Sequence, residues 1–234
     1  MNDRDLILSR IRTCCAGGEE EGSLFEKGAK DKKDRPAPAK DYLVEMFREE
    51  CEALSVDVRR AGSPEEVRDI ISSIAKKCGA GKVINWEGTV KGRPDIEKIL
   101  EGSGLEFIPV AGEDEAQTNA RRNFIDIVSE VPLGLSGVDF ALADSGTLVL
   151  RNLPGRNRSS SLLPPVYVAL LEPEKILPGL EDLLERLQDD FERDGSLESC
   201  ITLISGPSKT ADIESTLVLG VHGPGEVYVV IMDF

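Results

Sequence analysis

From residue 41 onward, helix-period apolar stripes alternate with short apolar runs, and this alternation restricts the fold more than any other feature. Leu43, Phe47, Cys51 and Leu54, with Val44 beside them, turn one face of a helix over 41–54 inward. A short β segment from Val56 to Arg60 follows. The next helix has a signed start, with Ser63 at the N-cap, Pro64 at N1 and Glu66 at the capping-box position. Val67, Ile70, Ile71, Ile74 and Cys78 form its apolar face, and Gly79 offers a stop. Strands are predicted over 82–85 and from Phe107 to Val110, with a short helix near 94–100 between them. Ala120, Phe124, Ile127 and Val128 mark another helix behind Thr118. This rhythm favours an open, mostly parallel sheet covered by helices.

The remainder is richer in strands. Val138, Phe140 and Leu142 alternate with smaller or polar positions, Asp144-Ser145-Gly146 interrupts, and Thr147–Leu150 returns as the second arm of a hairpin. Residues 166–171 form an apolar run, Pro178 opens a helix striped by Leu180, Leu183, Leu184, Leu187 and Phe191, and 201–204 and 227–232 are short strands. Mixed pairing is therefore expected, and the predicted fold is α/β: a mixed, largely parallel open sheet flanked by helices. Ahead of this domain (41–234), residues 1–16 read as a helical arm through Leu6, Ile7, Ile11 and Cys14. Residues 17–40 read as a flexible linker of glycine, mixed charge and Pro36-Ala37-Pro38-Ala39, with few large apolar groups to offset the entropy of ordering.

The 28 basic and 43 acidic residues give a net charge of −15, which argues against non-specific nucleic-acid binding. No secretion signal and no membrane span is visible, so a cytoplasmic location is expected. Cys14, Cys15, Cys51, Cys78 and Cys200 are odd in number and lack the close spacing of zinc or iron–sulfur sites, so reduced thiols and no metal are expected.

Chemistry is expected where polar and small residues interrupt apolar strands. In Asp144-Ser145-Gly146-Thr147, a tight turn would present Asp144 and Ser145 at a strand end, although Asp and Gly also simply make turns. The segment from Gly206 to Glu214 follows a strand directly. Ser208, Thr210 and free N–H groups there form a candidate anion nest, with Lys209 as counter-charge and Asp212 beside it; equally, Ser208 or Thr210 caps a following short helix. His222, the only histidine, sits among Gly220, Gly223 and Gly225, suited either to proton transfer or to a structural turn. Gly155 to Ser161 is a basic–hydroxyl segment whose Arg158 could grip a carboxylate or phosphate, or a merely solvated loop. Neither a Gly-x-Ser-x-Gly nucleophile turn nor a dinucleotide glycine fingerprint is present.

Three stretches carry a family resemblance: GVDFALADSGTLVL at 137–150, SLLPPVYVALLEPEKILPGLEDLL at 161–184, and GPSKTADIESTLVLGVHGPGEVYVVIMD at 206–233. On these the chain resembles lactate utilisation protein C, the LutC/YkgG group of LUD-domain proteins. That group usually carries a Thr and a Glu in its first motif. Here Ser136 or Gly137 stands near the Thr and Asp144 takes the Glu position, keeping the charge with a shorter reach. The basic loop is rearranged around Arg156 to Arg158. The resemblance implies a sheet like that of ribose-5-phosphate isomerase, glucosamine-phosphate isomerase and CoA transferases, with ligands near glycine-containing strand-end loops.

It also implies an accessory or assembly-linked subunit of a system oxidising L-lactate or a related organic acid. This chain would hold a small anionic metabolite and no cofactor, and LutAB-like partner subunits would carry the iron–sulfur clusters. On that reading Ser145, Gly146, Thr147, Arg158, Gly206, Ser208, Lys209, Thr210, Asp212 and Gly223 bind ligand, with Asp144 and His222 as the acid–base candidates. The alternatives are an isomerase- or transferase-like enzyme using Asp144 or His222, and a ligand-binding regulatory module without catalysis.

Overall fold

Two segments carry side chains buried on both faces: Val166–Leu171 (β7) and, after Glu226, the strand Glu226–Met232 (β12). Such strands belong in the middle of a parallel sheet covered on both sides. The computed structural model, which describes residues 38–85, 93–109, 128, 130–153, 156, 158–195, 198, 200–211 and 217–234, puts them there. The sheet is completed by β1 (Asp57–Ala61), β2 (Lys82–Asn85), β3 (Glu106–Pro109) and β4 (Leu133–Gly137), in the order β1-β12-β7-β4-β2-β3. Every neighbouring pair in it is parallel. The arm over 1–16, the linker up to residue 37, Asp212, and the helix behind Thr118 except Val128 lie outside the described residues.

One face of this sheet is covered by α2 (Pro64–Lys77) and α3 (Pro94–Glu101). Val67, Ile71 and Ile74 of α2 and Ile96 and Leu100 of α3 pack there with Val168, Leu170 and Val230. The start of α2 follows its sequence signal: the Ser63 hydroxyl accepts from Glu66 N–H at 3.2 Å. The Glu66 carboxylate reaches one residue further out than a standard box, accepting from Gly62 N–H at 2.7 Å.

On the other face lie α1 (Lys40–Ala53) and a second sheet, both sharing a core with Tyr167, Ala169, Val229 and Ile231. The second sheet runs β8-β5-β6-β9, from β5 (Phe140–Leu142), β6 (Thr147–Arg151), β8 (Ile176–Leu177) and β9 (Ile201–Ile204). Its β5–β6 hairpin is the predicted one. Its far side packs Leu142 and Val149 under Leu183 and Leu187 of α5 (Leu180–Asp194). Arg151 reinforces that layer by bridging Asp190, at 2.6 Å, and Glu198.

The single mixed sheet expected from sequence therefore divides in two. Among the described residues the main sheet is wholly parallel, and antiparallel pairs are confined to the second sheet and to the pair β10 (Lys209–Ala211) and β11 (Leu217–Leu219). The short helix expected after Ser208 is replaced by strand β10. The serine-rich segment at 159–161 is not a solvated loop either. It forms the short helix α4 (Ser159–Leu162), with Ser160 and Ser161 fully buried.

Strand β4, not expected from sequence, explains why α4 is buried. A Cβ on Gly134 would overlap the Ser160 carbonyl oxygen, so glycine alone lets the backbones of β4 and α4 touch. Gly134→Ala should lower unfolding free energy by about 3 kcal/mol. Gly195→Ala, at a left-handed helix end with open space, should cost only about 1 kcal/mol. Urea titration of both variants checks the contrast.

Candidate ligand cleft

The last turn of α1 is closed by two backbone bonds: Val56 N–H donates to Cys51 O (2.9 Å) and Ser55 N–H to Glu52 O (3.0 Å). This closure needs a left-handed residue, usually glycine, and here it is Ser55 at φ +70°. A non-glycine residue held there is strained, and such strain persists where surrounding contacts fix it.

Two glycine loops rest on that turn. Gly146, at φ +56°, approaches so closely that a Cβ would lie 2.8 Å from Cys51 N and 2.9 Å from Glu50 C. The buried Cys51 thiol, pushed up to about 12 by desolvation, stays protonated and donates to Gly146 O at 3.5 Å. Gly206, at φ +95°, sits where a Cβ would lie 3.1 Å from Leu54 O. Lys209 Nζ donates to that same carbonyl at 3.1 Å.

The loops are also joined directly. The Thr147 hydroxyl contacts Ser145 Oγ at 3.0 Å and Ser205 Oγ at 2.8 Å, linking the start of β6 to the end of β9. Ser208 ties in the third segment: its N–H donates to Pro224 O (2.8 Å) and its carbonyl accepts from Gly220 N–H (2.9 Å). Its hydroxyl accepts from His222 N–H at 3.3 Å, and Gly223 lies against its side chain.

Ser145, Gly146, Thr147, Gly206, Ser208, Lys209 and Gly223 are thus placed on one continuous contact path. Asp144 turns away from it: its N–H donates to Pro178 O at 3.1 Å, and its carboxylate lies against Gly179 at the amino end of α5. Thr210 pairs with Val218 inside the β10–β11 hairpin, and His222 is exposed. Arg158 donates to Cys200 Sγ at 3.7 Å, before β9, whereas Ser205 follows β9. The rise of an extended strand puts those two ends about 17 Å apart.

Beside the turn opens a cleft of about 360 Å³. Ser55, Asp57, Lys77, Lys209, Glu226 and Tyr228 supply its polar wall, with Pro207, Leu219 and Val227 as apolar lining. It lies at the amino ends of β1 and β12, whereas ligands of open α/β sheets usually sit at the carboxyl ends. Lys77 Nζ donates to Glu226 Oε2 (2.8 Å) and Tyr228 OH (2.7 Å), and Tyr228 OH donates to Glu226 (2.7 Å). Hydrogen bonding to Lys77 and Tyr228 holds the Glu226 carboxyl below its ordinary range; bonding to Glu226 and Tyr228 raises Lys77. Lys77 and Arg59 both lie over the Tyr228 ring, at 5.4 and 5.5 Å from its centre.

Of the sequence-predicted residues, Lys209 lines this cleft; Ser55, Lys77, Glu226 and Tyr228 were not anticipated. The available signal was Glu226 and Tyr228 two apart at the entry of an otherwise apolar strand, hence on one face. Among the described residues, no group of three or more His, Cys, Asp or Glu side chains is arranged to hold a metal ion, and no helix is long and apolar enough to cross a membrane.

The LUD domain pattern matches residues 44–232, from α1 through the last residue of β12. The chain belongs to the LUD domain family. Lactate utilization protein C of Macrococcus caseolyticus is 31% identical over 193 residues, covering 82% of this chain and 79% of that protein. Lactate utilization protein C of Halalkalibacterium halodurans is 31% identical over 194 residues, covering 82% and 80%. A DUF162 family protein from Deinococcus radiodurans shares the α/β fold, with a TM-score of 0.54 at 16% identity, over 83% of this chain and 99% of that one.

In this LUD domain the strain at Ser55 is directly measurable. Ser55→Gly should raise unfolding free energy by about 1 kcal/mol, read by urea titration, because glycine adopts the same backbone without the Cβ penalty.

Proposed function

We propose that this LUD-domain protein is an accessory or assembly-linked subunit of an L-lactate or related organic-acid oxidation system. In that system iron–sulfur clusters reside in partner subunits, and this chain acts in the cytoplasm and holds a small anionic metabolite. The observation that carries the reading is the match to lactate utilization protein C relatives at 31% identity over about four fifths of their length. The same motif stretches, with an open parallel sheet flanked by helices, support kinship with isomerase- and CoA-transferase-like folds.

Within this reading the anion lies by the Gly206–Thr210 segment, where Lys209 projects into the cleft. The isomerase- or transferase-like alternative uses Asp144 or His222 on its substrate, and the lining of this cleft includes neither.

Affinity capture of the tagged chain from native extract, paired with lactate oxidation in cells lacking its gene, tests the assignment. Co-recovery of iron–sulfur subunits and loss of lactate oxidation are expected. Recovery of the chain alone, with oxidation unchanged in its absence, would overturn the assignment.

A further inference from the structure

The chain's net charge of −15 repels anions at range, so any site that takes one has to be locally positive. The cleft meets that condition. Lys77 and Lys209 stand in its wall, and its Asp57 is already engaged by Arg59 through two hydrogen bonds of 3.1 Å. Three cations therefore face two carboxylates, Asp57 and Glu226, leaving one positive charge.

An ammonium group carries three donor protons. Lys77 places one on Glu226 and one on Tyr228; Lys209 places one on the Leu54 carbonyl, and among the described residues it faces no carboxylate within ion-pair distance. Among the described residues, one proton of Lys77 and two of Lys209 thus stay available for an incoming oxygen. The remaining wall is not built for a bare ion: Pro207, Leu219 and Val227 are apolar, and about 360 Å³ falls in the size range of small-molecule pockets.

We propose that this cleft binds a small organic monoanion, its carboxylate received by Lys77 and Lys209 and its short apolar body lying against Pro207, Leu219 and Val227. This deepens the small-anion reading above, on which it rests, by naming the receiving groups and the ligand class. A monoanion balances the single excess positive charge, whereas a dianion would meet uncompensated repulsion from Asp57 and Glu226. The ligand also competes with the Leu54 carbonyl for Lys209, so occupancy is coupled to the last turn of α1.

Calorimetric titration of the full chain with butanoate and with inorganic phosphate tests the assignment. Butanoate should bind saturably and more tightly than phosphate. Lys209→Gln should weaken it about tenfold. Leu219→Glu, at an exposed position paired directly across from Lys209, should do the same by occupying that ammonium internally. Lys98→Gln on α3 should leave binding unchanged. The proposal is overturned by absence of saturable butanoate binding up to about 100 mM, by preference for phosphate, or by unaltered binding in both cleft variants. Partner capture is read separately on the same chains, so a failed titration with capture intact removes the cleft ligand and leaves the subunit reading standing.

Discussion

The close seating of two glycine loops on the last turn of α1 is the constraint around which the functional region is built. Gly146 packs against the Glu50–Cys51 backbone and Gly206 against Leu54, so each loop position is set by backbone contact rather than by adjustable side chains. A buried thiol, a lysine and a pair of hydroxyls then fasten the loops: Cys51 to Gly146, Lys209 to Leu54, Thr147 to Ser205. Because interiors pack densely, a displacement of any one of these groups is transmitted to the others. The turn holding them ends in Ser55, whose left-handed backbone lines the cleft, so strain and cleft coincide.

This arrangement also accounts for where the cleft lies. The carboxyl ends of a parallel sheet usually gather ligands, but here two long excursions, between β4 and β7 and between β7 and β12, build a second sheet and a hairpin against the first. They bring Lys209 and Leu219 over the amino ends of β1 and β12. Lys77 arrives at the same end because α2 runs back from the carboxyl end of β1 to the amino end of β2, as the link between two parallel strands must. Two lysines from separate elements thereby produce local positive character in an acidic protein, beside a Tyr228 ring flanked by two cations.

Much of the fold was legible in the sequence because its signals are local. The Ser63–Pro64–Glu66 start of α2, the hairpin around Asp144–Gly146 and the apolar strands β7 and β12 each announce themselves within a few residues. Strand β4, Leu-Gly-Leu-Ser-Gly, did not, because its glycine and serine lower strand propensity; Gly134 is there for the α4 backbone and Ser136 for Tyr167 OH, 2.7 Å away, both of them tertiary reasons. Strand β10 was hidden likewise, because what makes it a strand is its antiparallel pairing with β11 further along the chain. At the site, sequence found the glycine loops and Lys209, but not Ser55, Lys77 or Tyr228, which meet only once α1, α2 and β12 are packed. Arg158 and Asp144, attractive as charges in polar loops, are instead engaged by Cys200 and the amino end of α5.

The last turn of α1 makes the Asp144–Thr147 loop and the Gly206–Lys209 loop one mechanical unit. Hydrogen exchange measured residue by residue in Gly146→Ala tests this coupling, because the three nearest atoms an added Cβ would meet all belong to the Glu50–Cys51 backbone. Exchange should become faster in both 145–148 and 206–209. Faster exchange confined to 145–148, with 206–209 protected as in the parent protein, would contradict it.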